Sequence, residues 1–342
     1  MMSEKLLYAV NLVASKFWKS SISPDKIKEI VVVKMDEIGD MTAAVHVFEL
    51  LKQYAPEAKL TVLCKPFVGS LIAADPHIDK IIFETEDLPS KADVWVELRG
   101  TWETFFLSIL RTKKVRLDRG TVRFKQRGNQ AHERITNFRI IEPLVGTVNW
   151  QCKPLFINDQ DQANANNILK SLFKIQSTDS KPFVVIHPGG RSLLRRWPAI
   201  RFAQIINDIY RQYGWKSLVI GTTDEAAILH EIEKETSDNS AIWLTQESLG
   251  TFAAVISKAV LFIGNESGPL QIADIMGVKS LGLFGPGVAN VFYPQTTGSR
   301  VIHNILDCNP CDQIHCVRSE SKCIDMISVQ EVMLVLPQMG LT

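Results

Sequence analysis

No stretch of the chain reaches the roughly 18 consecutive apolar residues that a membrane span requires. Neither sign of charge dominates: 38 Lys and Arg face 37 Asp and Glu, a formal net charge of +1. A balance of that kind gives no broad field to attract nucleic acid. Six cysteines in 342 residues are too few for a secreted disulfide scaffold. The N-terminus carries no small-residue cleavage site behind a true apolar core, which argues against a signal peptide. GxxxxGK followed by Ser or Thr is absent, as is a clean GxGxxG, so neither the P-loop nor the dinucleotide fingerprint is present. What remains is an ordinary globular composition, 46% apolar and 22% charged, long enough for about two domains. A cytoplasmic location is the expectation.

The chain is organised around Leu261 to Gln271, LFIGNESGPLQ. It reads as a buried strand from Val260 to Ile263, a tight turn from Gly264 to Gly268, and a helix opening at Pro269 and ended by Gly277. Pro suits the first helical turn, where its missing N–H would be unpaired anyway. Free backbone N–H groups and a positive dipole end then meet at Ser267 and Gly268, an arrangement that favours an anion and most commonly phosphate. Any α/β corner of this type would look the same, so neighbouring loops must decide. Two other loops end strands on the same edge, Pro188 to Arg196 and Gly221 to Glu225. Gly189 and Gly190 allow close backbone approach. Arg191, Arg195 and Arg196 offer charge suited to phosphate, although a solvated basic loop would have the same composition. Thr222 and Thr223, with Asp224 and Glu225, could meet a ribose hydroxyl or could cap a helix.

The first half repeats the pattern. Residues 4 to 19 place Leu6, Leu7, Val10, Val13, Ala14 and Phe17 at helical spacing with Lys5, Lys16 and Lys19 beside them. That is a surface-packed helix or a weak membrane contact. Ile30 to Val33 is a buried parallel-type strand. Its loop, Lys34 to Gly39, has Gly39 as the expected positive-φ position, and Asp40 can cap a helix with a face of Ala44, Val47, Phe48 and Leu51. Ligands of parallel sheets bind at the carboxyl ends of strands, which puts Asp36, Glu37 and Asp40 toward a cleft. Arg99, ending another strand, is a candidate for the same cleft. Strands are also expected at Lys59 to Leu63, Lys80 to Phe83 and Asp93 to Leu98. Residues 111 to 134 read as a basic surface, including Arg111, Lys113, Lys114, Arg116, Arg119, Arg123, Lys125, Arg127 and Arg134, with too little aromatic interleaving for nucleic acid. Residues 146 to 182 read as an interdomain passage holding one helix near 161 to 173. A second α/β unit of six strands follows.

These residues resemble a family. EIGD within Lys34 to Met41, Val94 to Gly100, HPGG and RRWP within His187 to Pro198, Gly264 to Gly268, and Leu283-Phe284-Gly285-Pro286 are similar, in order and spacing, to glycosyltransferase family 9, the heptosyltransferase family. CNPCDQIHC is similar to a C-terminal cysteine segment of many members. The resemblance spans about residues 30 to 335. It implies an α/β GT-B architecture, two Rossmann-like domains with parallel sheets facing across a cleft. Expected boundaries are 1–150 for an acceptor domain, 151–327 for a nucleotide-sugar domain, and 328–342 for a C-terminal helix that could cross back to the first domain. The implied function is inverting, metal-independent transfer of a sugar, by family a heptose from ADP-heptose, to a lipopolysaccharide or other glycolipid or oligosaccharide acceptor. No nucleic-acid partner is implied, and peripheral contact with the inner face of the inner membrane is compatible.

By resemblance Asp40 is the general base, Arg195 stands at the family's phosphate-binding Lys, and Gly189 and Gly190 are phosphate-loop positions. Glu266, Ser267 and Gly268 match an Asp-Ser/Thr-Gly that holds sugar and phosphates. Arg99 belongs to the acceptor side; Arg191, Arg196, Thr222 and Thr223 belong to the donor side. Two positions depart from the family: Glu266 replaces Asp, and Gln271 replaces His. A site tolerant of only about 0.5 Å feels an added methylene, so an alternative is a nucleotide-sugar-binding protein that has lost transfer. An epimerase of the same fold would instead consume donor without acceptor. Cys308, Cys311, Cys316 and Cys323 fall as C-x2-C-x4-C-x6-C. That spacing leaves open a structural zinc, disulfide or redox chemistry, and plain reduced thiols.

Overall fold

Four consecutive β-branched residues with no exposed surface, Ile30 to Val33, form the centre of the first sheet, because a parallel strand covered on both faces needs apolar side chains on both. The computed structural model describes residues 2–126, 130–173, 182–311, 313–318 and 321–340, with the backbone alone for 2–5. The chain divides into two units, Met1–Phe156 and Ile157–Thr342, so the division falls six residues beyond the expected 150/151.

The first unit runs α1 (Met2–Ala14), β1 (Glu29–Lys34), α2 (Ile38–Thr42), α3 (Val45–Tyr54), β2 (Lys59–Cys64), α4 (Pro66–Ile72) and β3 (Lys80–Ile82). It continues with β4 (Ala92–Arg99), α5 (Trp102–Arg111), β5 (Thr112–Asp118), α6 (Arg119–Gln126) and α7 (Glu133–Val145). All its pairings are parallel, in the order β3-β2-β1-β4-β5. The order reverses between β1 and β4, and such a reversal opens a crevice at the strands' carboxyl ends. Ala44, Val47, Phe48 and Leu51 are buried as the helical spacing required.

Three local expectations are corrected here. Gly39 has no positive φ; it lies inside α2, whose N-cap is Glu37. Asp40 therefore does not cap a helix but sits within one. The stretch 112–118, expected as part of a basic surface, is strand β5, and Arg116, Arg119 and Arg134 are buried. Val115 and Leu117 supply the inward alternation, and Arg116 is accepted because Glu97 lies 2.8 Å away and Ser108 Oγ 2.7 Å away, with Asn11 and Asp118 beside them. Arg127 lies outside the described residues.

The second unit runs α8 (Asp159–Phe173), β6 (Phe183–His187), α9 (Ala199–Tyr213), β7 (Lys216–Gly221), α10 (Ala226–Glu235), β8 (Ala241–Thr245) and α11 (Leu249–Ile256). It ends with β9 (Leu261–Asn265), α12 (Gly268–Ile275), β10 (Ser280–Phe284), α13 (Ala289–Phe292), β11 (Arg300–His303) and α14 (Val329–Val335). Its six parallel strands lie in the order β11-β10-β9-β6-β7-β8, reversing between β6 and β9. Gly214 and Gly277 take positive φ, +68° and +77°, just past α9 and α12, the left-handed helix stop that glycine permits. α14 packs on α9, and Val332, Leu336 and Met339 join the core of Trp197, Phe202, Ile206 and Ile209.

Candidate functional site

Each unit gathers charge at its sheet reversal. In the first, Lys34 closes β1 with no exposed surface, its Nζ 2.8 Å from Asp36 Oδ2 and 3.8 Å from Glu133 Oε1. Arg99 ends β4, with Nε 3.2 Å from Asp36 Oδ1 and Nη1 donating to Tyr8 OH at 3.0 Å. Arg119 grips both oxygens of Glu133, at 2.9 Å through Nη2, and Arg123 adds a contact of 3.0 Å. Burial alone would raise the Glu133 carboxyl, but Arg119, Lys34 and Arg123 outweigh it and hold it at about 2. Glu133 is therefore a fixed anion around which the cations are ordered.

Asp40, in the first turn of α2 and six residues past the end of β1, meets this cluster. Burial, first, and the charge of Asp36, second, raise its carboxyl to about 6, against the pull of Lys34. A carboxyl near the working pH is the form a general base takes, ionised yet basic. The sequence placed Asp40, Asp36 and Arg99 on one edge, and the structure brings Arg99 to Asp36. Glu37 turns to Lys65 instead, at 2.7 Å. Lys34, Arg119 and Glu133 were missed as site residues. Only the short βα spacing linked Lys34 to Asp40, and nothing local links Arg119 to Glu133.

In the second unit the three loops expected to lie together follow neighbouring strands β9, β6 and β7. His187 joins them: Nδ1 is 3.1 Å from Ser267 Oγ and Nε2 is 3.4 Å from Glu225 Oε1. Asn265 donates to the carbonyls of Pro188 and Gly189 at 2.7 and 3.0 Å and accepts from Trp197 N–H at 3.0 Å. Trp197 is fully buried and donates to the Ile327 carbonyl at 2.9 Å, so it packs the loop. Ser267 is the N-cap residue of α12, and Gly268 its first residue.

Glu225 changes the reading of the glycine loop. It accepts from Gly190 N–H at 3.1 Å and from Thr222 N–H at 3.0 Å. A Cβ on Gly189 would fall 1.6 Å from Glu225 Oε1. Gly189 therefore makes room for this carboxylate, and the Gly190 amide, expected to be open to phosphate, already has an acceptor. Thr222 forms a capping box with Glu225, which realises the capping reading; Thr223 is exposed. The spacing Thr222-x-x-Glu225 is the sequence signature that could have shown this. Burial opposes ionisation of Glu225, but His187, the Thr222 amide and Arg196 bring it to about 2.

Arg195 Nη1 is 3.3 Å from Glu266 Oε1, and its Nε donates to Gln313 Oε1 at 2.5 Å. Arg196 Nε donates to the Gly190 carbonyl at 2.8 Å, and Arg191 is exposed. Glu266 is buried, and a Cβ on Gly287 would lie 1.8 Å from its Oε2. The longer carboxylate fits because residue 287 has no side chain. Gln271 is buried; its Nε2 donates to the Phe292 carbonyl at 2.7 Å, while its Oε1 accepts no hydrogen bond among the described residues.

Cys308, Cys311, Cys316 and Cys323 line one pocket with Leu194 and Pro286. Burial and the nearby Cys308 and Cys311 push up the Cys323 thiol. Among the described residues, however, no three Cys, His, Asp or Glu side chains converge as a metal would require. The donor chemistry fits zinc; the arrangement of the donors does not. No described helix is long and apolar enough to cross a membrane.

Two parallel sheets, each with charge at its reversal point, define a two-domain α/β protein of the Rossmann-like, GT-B type. Residues 137–322 match glycosyltransferase family 9 (heptosyltransferase), and the chain belongs to that family. Asp40 and Arg99 lie outside the matched residues. Lipooligosaccharide heptosyltransferase 2 of Campylobacter jejuni is 24% identical over 158 residues, 45% of this chain and 50% of the relative; the match thus spans about half the length of the first curated relatives. A family 9 glycosyl transferase from Veillonella parvula superposes with a TM-score of 0.75 at 19% identity, covering 94% of this chain and 99% of the other. The Escherichia coli ADP-heptose lps heptosyltransferase II gives 0.70 at 15%, covering 91% and 98%. At these identities the two structures establish the fold.

Proposed function

We propose that the chain is an inverting glycosyltransferase that moves a heptose from ADP-heptose to a saccharide acceptor of the lipopolysaccharide type. The observation that carries this is Asp40, a carboxyl raised to about 6 at the reversal of a parallel sheet, in a chain of the heptosyltransferase family. The acceptor hydroxyl attacks the anomeric carbon from the face opposite the diphosphate. Asp40 takes the hydroxyl proton, a contribution of about 10²–10⁴. The C–O bond to the diphosphate breaks and the diphosphate leaves with the electron pair. Arg195 and the N-terminus of α12 meet that growing charge; Ser267, held by His187, is placed to hydrogen-bond it. Arg191 and Arg196 add cationic charge on the donor side, and Glu266 meets sugar hydroxyls. Arg99, partly exposed at the end of β4, is the cation that would meet an acidic acceptor; Lys34 and Arg119 are buried against Asp36 and Glu133 and hold the cluster in place. The reaction is written without a metal, and any zinc at the cysteines would brace a loop and take no part in transfer.

A second reading keeps donor binding without transfer. It is favoured by the Arg195–Glu266 pair, which engages the phosphate-side cation. A thermal-shift panel of ADP-, UDP-, GDP- and CMP-sugars, followed by turnover of whichever binds, separates the two, since a bound ligand raises the melting temperature by mass action. Stabilisation by ADP-heptose with acceptor-dependent ADP release supports transfer. Stabilisation with no turnover on any core saccharide supports the second reading.

A further inference from the structure

The outer face of α1 is apolar where a solvent-facing helix is ordinarily polar. Leu6, Ala9 and Val13 recur at helical spacing on that face, and Phe17 follows in the next turn; all four are exposed. α5 exposes Phe106 and Leu110, and α6 exposes Phe124. These six larger side chains, Leu6, Val13, Phe17, Phe106, Leu110 and Phe124, are each 55–80% exposed. They are not scattered. Leu7 and Ala14 of α1 and Phe105 of α5 form one buried cluster, with Val10, Trp18, Trp102 and Ile109 partly buried against it. α1 also packs along α6. The three helices thus pack on one another, and each turns large apolar side chains outward.

One end of this face is basic. Lys16, Lys19 and Lys113 are exposed there, where Trp18 Nε1 donates to the Thr112 carbonyl at 3.4 Å, and Lys125 is exposed on α6. The acidic residues of the three helices, Glu4 and Glu103, fall in the first turns of α1 and α5. A second copy of the chain would bring lysines against lysines across a two-fold contact, whereas an anionic surface complements them. We propose that this face docks on an anionic phospholipid bilayer, with the apolar side chains entering the headgroup boundary and the lysines meeting lipid phosphates. The inner face of the same helix carries Tyr8, bonded to Arg99 at 3.0 Å, so the docked helix borders the acceptor-side cluster. This part rests on the proposed transfer to a lipid-borne saccharide: the acceptor would reach Asp40 from the surface on which α1 lies.

The test is co-sedimentation of the full chain with vesicles of phosphatidylcholine alone and of phosphatidylcholine mixed with phosphatidylglycerol. The wild type is expected to bind the anionic vesicles, less so in high salt, and to leave the neutral ones largely in the supernatant. Neutralising Lys16, Lys19 and Lys113 to Gln is expected to weaken partition roughly fivefold per lysine. Val13→Asp with Phe17→Asp, or Phe106→Asp with Leu110→Asp, is expected to weaken it about tenfold or more. The substituted positions are exposed, and an unchanged melting temperature and circular dichroism spectrum confirm the fold. Two results overturn the proposal: no binding of wild type to the anionic vesicles, or equal binding by wild type and variants. Self-association through this face, seen as dimers of wild type and monomers of the variants in sedimentation velocity, also overturns it. Asp40→Asn is expected to bind vesicles normally while losing transfer. A chain that transfers to a water-soluble core saccharide yet ignores vesicles sinks this inference alone.

Discussion

Asp40→Asn is expected to inactivate the protein and to stabilise it. Burial and Asp36 raise the Asp40 carboxyl from 3.8 to about 6. Between those values the folded protein holds a proton that the unfolded chain has released. Stability therefore falls as pH rises across this window, and the full penalty is present above about 6. The shift of about two units corresponds to at most about 3 kcal/mol. Asn is nearly isosteric with the protonated acid and carries no charge to desolvate. The variant is thus expected to gain up to about 3 kcal/mol above pH 7 and almost nothing below pH 4, with the gain appearing as a rise in melting temperature of about 2–4 °C per kcal/mol. Urea unfolding of both proteins at the two ends of that range reads the difference directly. Turnover of the variant is expected to fall about 10²–10⁴-fold, and wild-type kcat/KM to rise with pH through about 6 as Asp40 ionises. A variant less stable at both ends of the range, or stabilised equally at both, would refute the reasoning, because neither follows from a buried, raised carboxyl.

Gly189→Ala places a Cβ 1.6 Å from Glu225 Oε1, so the carboxylate must leave His187 and the Gly190 amide; donor affinity, read by thermal shift with ADP-heptose, is expected to fall about tenfold or more. Lys34→Met leaves Asp36 without its buried cation and is expected to cost about 3–5 kcal/mol in urea unfolding; a loss under about 1 kcal/mol would show that the Lys34 pair does not hold the cluster. Arg195→Ala is expected to weaken ADP-heptose binding, and Arg195→Lys to restore part of it, because charge survives while the two-pronged geometry does not. Metal analysis of the purified chain decides the cysteine pocket: about one equivalent of zinc, lost with the Cys308→Ser and Cys311→Ser variants, means that the four thiols close around a metal, and less than about a tenth of an equivalent removes zinc from the account.

The strands were legible wherever burial on both faces demanded unbroken apolar runs, as at Ile30 to Val33 and Leu261 to Ile263. β5 was not, because Lys113, Lys114 and Arg116 interrupt Val115 and Leu117. Arg116 is tolerated only through Glu97, Asn11 and Ser108, which the fold brings from elsewhere. The position of Asp40 was legible from the strand-loop-helix pattern, but its environment was not, since Glu133 lies 93 residues away in sequence and Arg119 reaches it across a helix junction. In the second unit the three loops were placed correctly at neighbouring strand ends. Their internal wiring was not, because Glu225 takes the Gly190 amide and fills the space that Gly189 vacates. The bond from Gln271 Nε2 to the Phe292 carbonyl, 21 residues on, was not legible either, because the fold alone brings the two together.

The central claim is that Asp40 deprotonates an acceptor hydroxyl as a heptose leaves ADP. Its most direct measurement is ADP release and product mass from ADP-heptose mixed with a panel of deacylated lipopolysaccharide core acceptors, for wild type and Asp40→Asn side by side. The account expects wild type to release ADP only when an acceptor is present, in step with an acceptor one heptose heavier, and Asp40→Asn to bind the donor but release almost none. Acceptor-dependent transfer by Asp40→Asn at the wild-type rate, or donor consumed by wild type with no acceptor present, would contradict it.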